Sequence, residues 1–207
     1  MSRYTGPRLK VMRALGVELP GLSRKSIADR PHPPGQHGQR LRKKSEFGLQ
    51  LLEKQKLRFN YGVTERQLQR LFREAKADRG PTGRKLLELL ERRLDNAVFR
   101  AGLAPTVVAA RQLVSHRHVQ VNGRPVTIPS IRLRAGDVLS LSARAQGMAV
   151  IKDSLADPAL AIPEWLQVTS PDNPSQLRVQ VTRLPDADEV PFPVEMQQVV
   201  EYYAVRL

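Results

Sequence analysis

Between Leu86 and Leu141 the apolar residues change period, and no other feature of the chain constrains its fold as much. Leu86, Leu90, Leu94, Ala97 and Ala101 recur at steps of three and four, so a helix puts them on one stripe, with Arg93, Asn96 and Arg100 on a flank and Arg92 opposite. Gly102 ends that helix, and Thr106, just after Pro105, is placed to cap a second one expected to reach about His116. On this second helix Val107, Ala110, Leu113 and Val114 face inward, while Arg111, Gln112, Ser115 and His116 span the opposite sector. From Val119 the step becomes two. Val119 and Val121, the turn pair Asn122-Gly123, then Arg124, Val126 and Ile128 predict a hairpin, and a second turn at Gly136-Asp137 returns Val138, Leu139 and Leu141 as a strand. The block therefore reads as paired helices against a small antiparallel sheet, with arginine on the open side.

The flanks are organised differently. Residues 1–45 carry 11 Lys+Arg, scattered Pro and Gly and little periodic apolar content, which predicts an irregular basic arm ordered by its partner. Within it Arg30–Arg40 is stiffened by Pro31, Pro33 and Pro34 and freed at Gly35 and Gly38, a shape suited to lying along phosphates, and Arg40, Arg42, Lys43 and Lys44 continue the basic run. From Ser45 the pattern is helical: Phe47, Leu51, Leu52 and Leu57 supply an apolar side and Lys54, Lys56 and Arg58 a basic one. Tyr61-Gly62 breaks it. Thr64 with Gln67 fits a capping box for a helix whose stripe is Leu68, Leu71, Phe72 and Ala75 and which stops near Arg79-Gly80-Pro81; Thr82 or Gly83 opens the next. After Val150 the chain turns acidic and proline-rich, with Pro158, Pro163, Pro171 and Pro174 separating short pieces; Leu177, Val179 and Val181 alternate as a strand, and Trp165, Val199, Val200, Tyr202 and Tyr203 read as core. The expected class is α+β, with an arm over 1–45, an all-helical domain over 46–91 and a mixed domain over 92–181.

Charge narrows the partner. Of the net +14, residues 1–150 account for +19 (30 Lys+Arg against 11 Asp+Glu) and residues 151–207 for −5 (4 against 9). A self-repelling positive body of this kind calls for a polyanion, and nucleic acid comes first. A cationic membrane-surface protein usually shows one basic amphipathic helix with bulky aromatics, and none is evident; no run approaches a membrane span and Met1–Lys10 has no apolar signal core, so cytoplasm is expected. Without cysteine there are no disulfides and no thiolate ligands or nucleophiles. His116 and His118 lack further ligands nearby and Arg117 opposes a cation, so no metal is expected; Ser115 and His116 are adjacent on a helix and do not face each other, so no nucleophile pair is expected. No phosphate-binding glycine loop and no paired carboxylates suited to acid–base work stand out, so neither a cofactor nor a catalytic residue is expected.

The stretches RRLDNAVFRAG (Arg92–Gly102), AARQLVSHRHVQVNG (Ala109–Gly123) and RAGD (Arg134–Asp137) resemble the α-L RNA-binding module of the S4 ribosomal protein family. RYTGP (Arg3–Pro7), RPHPPGQHG (Arg30–Gly38), EKQKLRFNYGVTERQ (Glu53–Gln67), IPEWL (Ile162–Leu166), VTRLP (Val181–Pro185) and VEYY (Val200–Tyr203) extend the resemblance to the whole bacterial family, in a cysteine-free form. The resemblance implies a ribosomal protein that binds small-subunit ribosomal RNA as a primary binder and nucleates assembly of the subunit body. It also implies contact with ribosomal protein S5 and other small-subunit proteins, proximity to mRNA where it enters, a role in decoding accuracy, and a C-terminal tail, 182–207, returning to the helical domain. Charge, pattern and resemblance together mark Arg3, Tyr4, Arg8, Arg40, Arg42, Lys43, Lys44, Lys54, Lys56 and Arg58 in the first half as RNA-contacting. In the module they mark Arg92, Arg93, Arg111, Gln112, Ser115, His116, Arg117, His118, Asn122, Arg124, Arg132 and Arg134. Two departures stand out. Leu9 and Met12 occupy positions where zinc-binding relatives carry cysteines, and Arg117 stands where relatives often have glycine, a strained choice if the backbone there needs positive φ.

The alternative is an RNA-modifying enzyme of the pseudouridine synthase type carrying the same module. Leu94-Asp95 fits its Arg-Leu-Asp signature superficially, but Asp95 falls inside an amphipathic helix and too little chain remains for a catalytic fold. A duplex-DNA regulator would use the paired helices as a helix-turn-helix.

Overall fold

The computed structural model describes residues 4–40, 43–170, 173 and 175–207. In chain order the helices and strands are α1 (Arg8–Leu15), α2 (Glu46–Asn60), α3 (Glu65–Ala77), α4 (Thr82–Glu91), α5 (Leu94–Arg100), α6 (Val107–Ser115), β1 (Val119–Val121), β2 (Arg124–Pro125), β3 (Val138–Leu141), α7 (Ala143–Gln146), α8 (Ala149–Ala156), β4 (Leu166–Thr169), β5 (Arg178–Val181) and α9 (Met196–Ala204). They form two compact units, Met1–Leu87 with Val190–Leu207, and Glu88–Glu189; the division falls inside α4.

In the first unit the helix starts follow their caps. Ser45 Oγ accepts from Gly48 N–H at 3.2 Å at the head of α2, and at α3 the Thr64 and Gln67 side chains each accept from the other's backbone N–H, at 3.4 and 2.9 Å. Leu68, Leu71, Phe72 and Ala75 are all buried. The C-terminal helix α9 lies along α2, its Tyr203 ring 4.8 Å from Phe72, and Gly83 of α4 comes so close that an added Cβ would sit 3.1 Å from Met196 Cβ.

The arm is more structured than its composition predicts. It contains α1, and Met12, Leu19 and Leu22 are buried. Gly21 N–H donates to Asn60 Oδ1 at 2.9 Å, Glu18 takes bonds from Ser26 Oγ and Ile27 N–H, and Arg13 Nε donates to His32 O at 2.9 Å. Order over residues 8–32 thus comes from the chain itself: three well-placed apolar side chains and a few buried polar bonds suffice where a periodic stripe is missing.

The second unit carries an antiparallel sheet in the order β2-β1-β3-β5-β4. Asn122 and Gly123 both have positive φ, 51° and 74°, as a two-residue hairpin turn with right-handed strand twist requires. Leu94, Val98 and Phe99 of α5, Val107, Ala110 and Val114 of α6, and Val119, Leu139, Leu141, Trp165, Val179 and Val181 close one core.

Periodicity misjudged this unit in three places. The single helix through Leu86–Ala101 is two helices, because the chain leaves helical geometry at Arg93 (φ −65°, ψ 138°), which forms a β-bridge with Arg132. Residues 129–133 make this break: Leu94 N–H donates to Ile131 O, Asp95 N–H to Pro129 O, and Leu133 N–H to Arg92 O. The strand expected over Arg124, Val126 and Ile128 stops at Pro125, and Ile128 is 57% exposed. Among the pieces after Val150 lie the helix α8 and the strand β4, neither of which the proline pattern revealed.

Candidate nucleic-acid interface

The centre of the second unit is a buried carboxylate. Asp95, with no exposed surface, accepts at both oxygens from Arg93 (Nε–Oδ1 3.0 Å, NH2–Oδ2 2.7 Å) and is also held by Arg111 (Nε–Oδ2 3.1 Å, NH2–Oδ2 2.7 Å). Asn96 N–H adds a third donor at 3.0 Å. Beside it the buried Glu91 receives Asn96 Nδ2 at 2.9 Å and faces Arg100 Nε at 3.7 Å. Charges this far from water persist only when paired, and the pairing fixes α5 against α6.

The outward side is cationic and differently disposed. Helix α6 ends in a Schellman motif: Arg117 N–H donates to Val114 O and His118 N–H to Leu113 O, both at 3.0 Å, with Arg117 itself left-handed at φ 63°. This reverses the chain so that Gln112, His116 and Arg117 are exposed together, with Ser115 and His118 half-buried beside them. Around the sheet, Asp137 secures two turns by accepting from Asn122 Nδ2 at 2.8 Å and Arg134 N–H at 2.7 Å, leaving the side chains of Arg124 and Arg134 in solvent.

The expected contact residues therefore divide. Tyr4, Arg40, Lys43, Lys44, Gln112, His116, Arg117, Asn122, Arg124 and Arg134 are exposed; Arg8, Lys56, Arg58, Arg92, Arg111, Ser115, His118 and Arg132 are half-buried; Arg3 and Arg42 lie outside the described residues. Two are corrected. Arg93 is interior, its guanidinium committed to Asp95, and Lys54 is interior, its ammonium 2.8 Å from Glu65 Oε2 and 5.0 Å from the centre of the Tyr202 ring. Arg92 donates to Leu133 O and Glu88, and Lys56 to Glu53, so both have protein partners as well. Sequence reasoning missed Arg66, Arg70 and Arg73, on the outer side of α3, although the same period that marks its apolar stripe puts them opposite. It also missed the exposed Arg144 of α7, for which no local pattern gave a signal.

Two family models match end to end: "Ribosomal protein S4/S9 N-terminal domain" over residues 3–91 and "S4 domain" over residues 92–139. Among curated proteins the chain is 60% identical to small ribosomal subunit protein uS4B of Nitrosomonas europaea and 60% identical to small ribosomal subunit protein uS4 of Methylobacillus flagellatus, each over the whole of both chains. The chain belongs to the small ribosomal subunit protein uS4 family. Similarity extends to the uS4 protein of Nostoc punctiforme, 51% identical over 99% of this chain and 98% of that one.

As a uS4 protein it is a ribosomal protein and not an enzyme. The geometry of Asp95 agrees: two guanidiniums and a backbone N–H take up its oxygens in the core, where no substrate reaches. The uS4 chain also has no helix, among its described residues, long and apolar enough to cross a membrane.

Proposed function

We propose that this uS4 protein is a structural constituent of the small ribosomal subunit that binds ribosomal RNA through the exposed cations of its S4 domain and nucleates assembly of the subunit body. The observation that carries the reading is the coincidence of the S4-domain match, residues 92–139, with the surface on which Gln112, His116, Arg117, Arg124 and Arg134 are exposed. Phosphate contacts from such side chains supply affinity, and selectivity comes from the shape of folded RNA and its unpaired nucleotides, since the A-form major groove excludes side chains. Tyr4, Arg40, Lys43 and Lys44 of the first unit, together with the outer arginines of α3, offer further cations to the same kind of partner. Contacts with ribosomal protein S5 and other small-subunit proteins, proximity to incoming mRNA and a part in decoding accuracy belong to this reading as functions of a uS4 protein.

Footprinting the purified chain on small-subunit ribosomal RNA tests it. Protection confined to a helical junction, with structured RNA outcompeting duplex DNA at matched salt, is the expected result. Equal competition by duplex DNA would defeat the proposal.

A further inference from the structure

Two arginines and two histidines, Arg117, Arg144, His116 and His118, converge where α6 ends. His116 caps the helix, Arg117 takes the left-handed turn and His118 leads into β1. Ser142 N–H donates to His118 O at 2.9 Å, and this bond holds the start of α7, which bears Arg144, next to His118. The two imidazole rings lie 6.2 Å apart, tilted by 53°. His116, Arg117 and Arg144 are exposed and His118 is half-buried. Among the described residues, the side chains of these four make neither an ion pair nor a hydrogen bond. That sets them apart from Arg111, earlier on α6, and from Arg93 at the head of α5, both of which the Asp95 carboxylate holds.

The groups facing His118 are Arg144 from α7 and His116 from the α6 cap, and both repel a proton on it. Burial first, then Arg144, then His116 hold the imidazole below its ordinary range. Near neutral pH the free protein therefore carries His118 uncharged at the centre of a cationic corner. A phosphate seated there reverses the local field and favours the imidazolium.

Resting on the RNA-binding reading above, we infer that this corner is a proton-linked phosphate site. A backbone phosphate of folded RNA seats among His116, Arg117 and Arg144, and His118 takes up one proton from solvent as it binds. Arg144 thereby becomes a contact residue that also sets how strongly binding depends on pH. In the window between the titration of free and bound His118, affinity falls as pH rises, by at most about tenfold per pH unit for a single proton.

The test measures affinity of the full chain for a small-subunit ribosomal RNA transcript between about pH 5.5 and pH 8 at constant salt, for the natural protein, His118→Gln and Arg144→Gln. The natural protein is expected to bind more weakly as pH rises. His118→Gln should lose the part of that slope that belongs to one proton. Arg144→Gln should bind more weakly, with a smaller slope and a salt dependence lower by roughly 0.7 to 0.9. An independent measurement on the natural protein follows the His118 ring signals by NMR, free and with RNA; their titration should move to higher pH on binding. A slope unchanged in His118→Gln, or a His118 titration that does not move with RNA, overturns the inference while leaving RNA binding intact. Absence of RNA binding at every pH would instead sink the RNA reading, and this inference with it.

Discussion

Asp95 and Arg111 meet at 2.7 Å across the interface of α5 and α6, the carboxylate wholly buried and the guanidinium at the edge of solvent. Arg111 is therefore first a structural residue. Arg111→Ala leaves Asp95 with Arg93 and the Asn96 N–H, and the expected loss is on the order of 2 kcal/mol. Urea denaturation followed by circular dichroism measures it, and a stability equal to the natural protein's would refute the structural role. Because Arg111 is also at the edge of solvent, Arg111→Ala is expected to lower RNA affinity and stability together.

Arg117 occupies the left-handed position that closes the Schellman motif, where a side chain costs about 1 kcal/mol relative to glycine. Arg117→Gly is expected to raise the midpoint of chemical denaturation and to lower RNA affinity. A variant that gains stability and keeps its full affinity would show that the side chain serves no contact.

Arg124 and Arg134 lie in solvent beside turns to which they contribute their backbones and not their side chains. Arg124→Ala and Arg134→Ala should leave the unfolding curve unchanged and each reduce the slope of log affinity against log salt by roughly 0.7 to 0.9. Identical slopes in variant and natural protein would remove these residues from the interface.

Glu65 ties α3 to α9 through Tyr203 Oη at 2.8 Å and to α2 through Lys54. Burial raises its carboxyl, but the bonds from Lys54 and Tyr203 outweigh this and hold it below the usual carboxylate range. A depressed acid stabilises the fold above its unfolded value and loses that contribution as pH falls through the folded one, so the first unit should loosen below about pH 4. Tyr203 is displaced upward by burial and by Glu65, so its share is present below about pH 10 and lost as pH climbs beyond that value. Tyrosine fluorescence during acid and alkaline titration of natural protein and Glu65→Gln reads this: the acid transition should shrink in Glu65→Gln. An acid transition of undiminished size would assign it to other carboxylates.

Much of the architecture is written locally. The stripe Leu68, Leu71, Phe72, Ala75 predicts α3, its capping box marks the first turn, Asn122-Gly123 predicts the hairpin, and the one-sided charge points to a polyanion. These features depend on neighbours within a turn or two of chain, and spacing records such neighbours directly. What the spacing of residues could not record is which distant group completes each polar atom. The backbone of residues 129–133 splits one apparent helix at Arg93. Asp95 withdraws Arg93 from the basic face and ties down Arg111 at its edge, Glu65 draws Lys54 inside, and Ser142 carries Arg144 to His118. A basic side chain looks the same in sequence whether it will meet a buried carboxylate or open water. Burial makes that difference, because an interior charge must find its counter-charge wherever the folded chain supplies one.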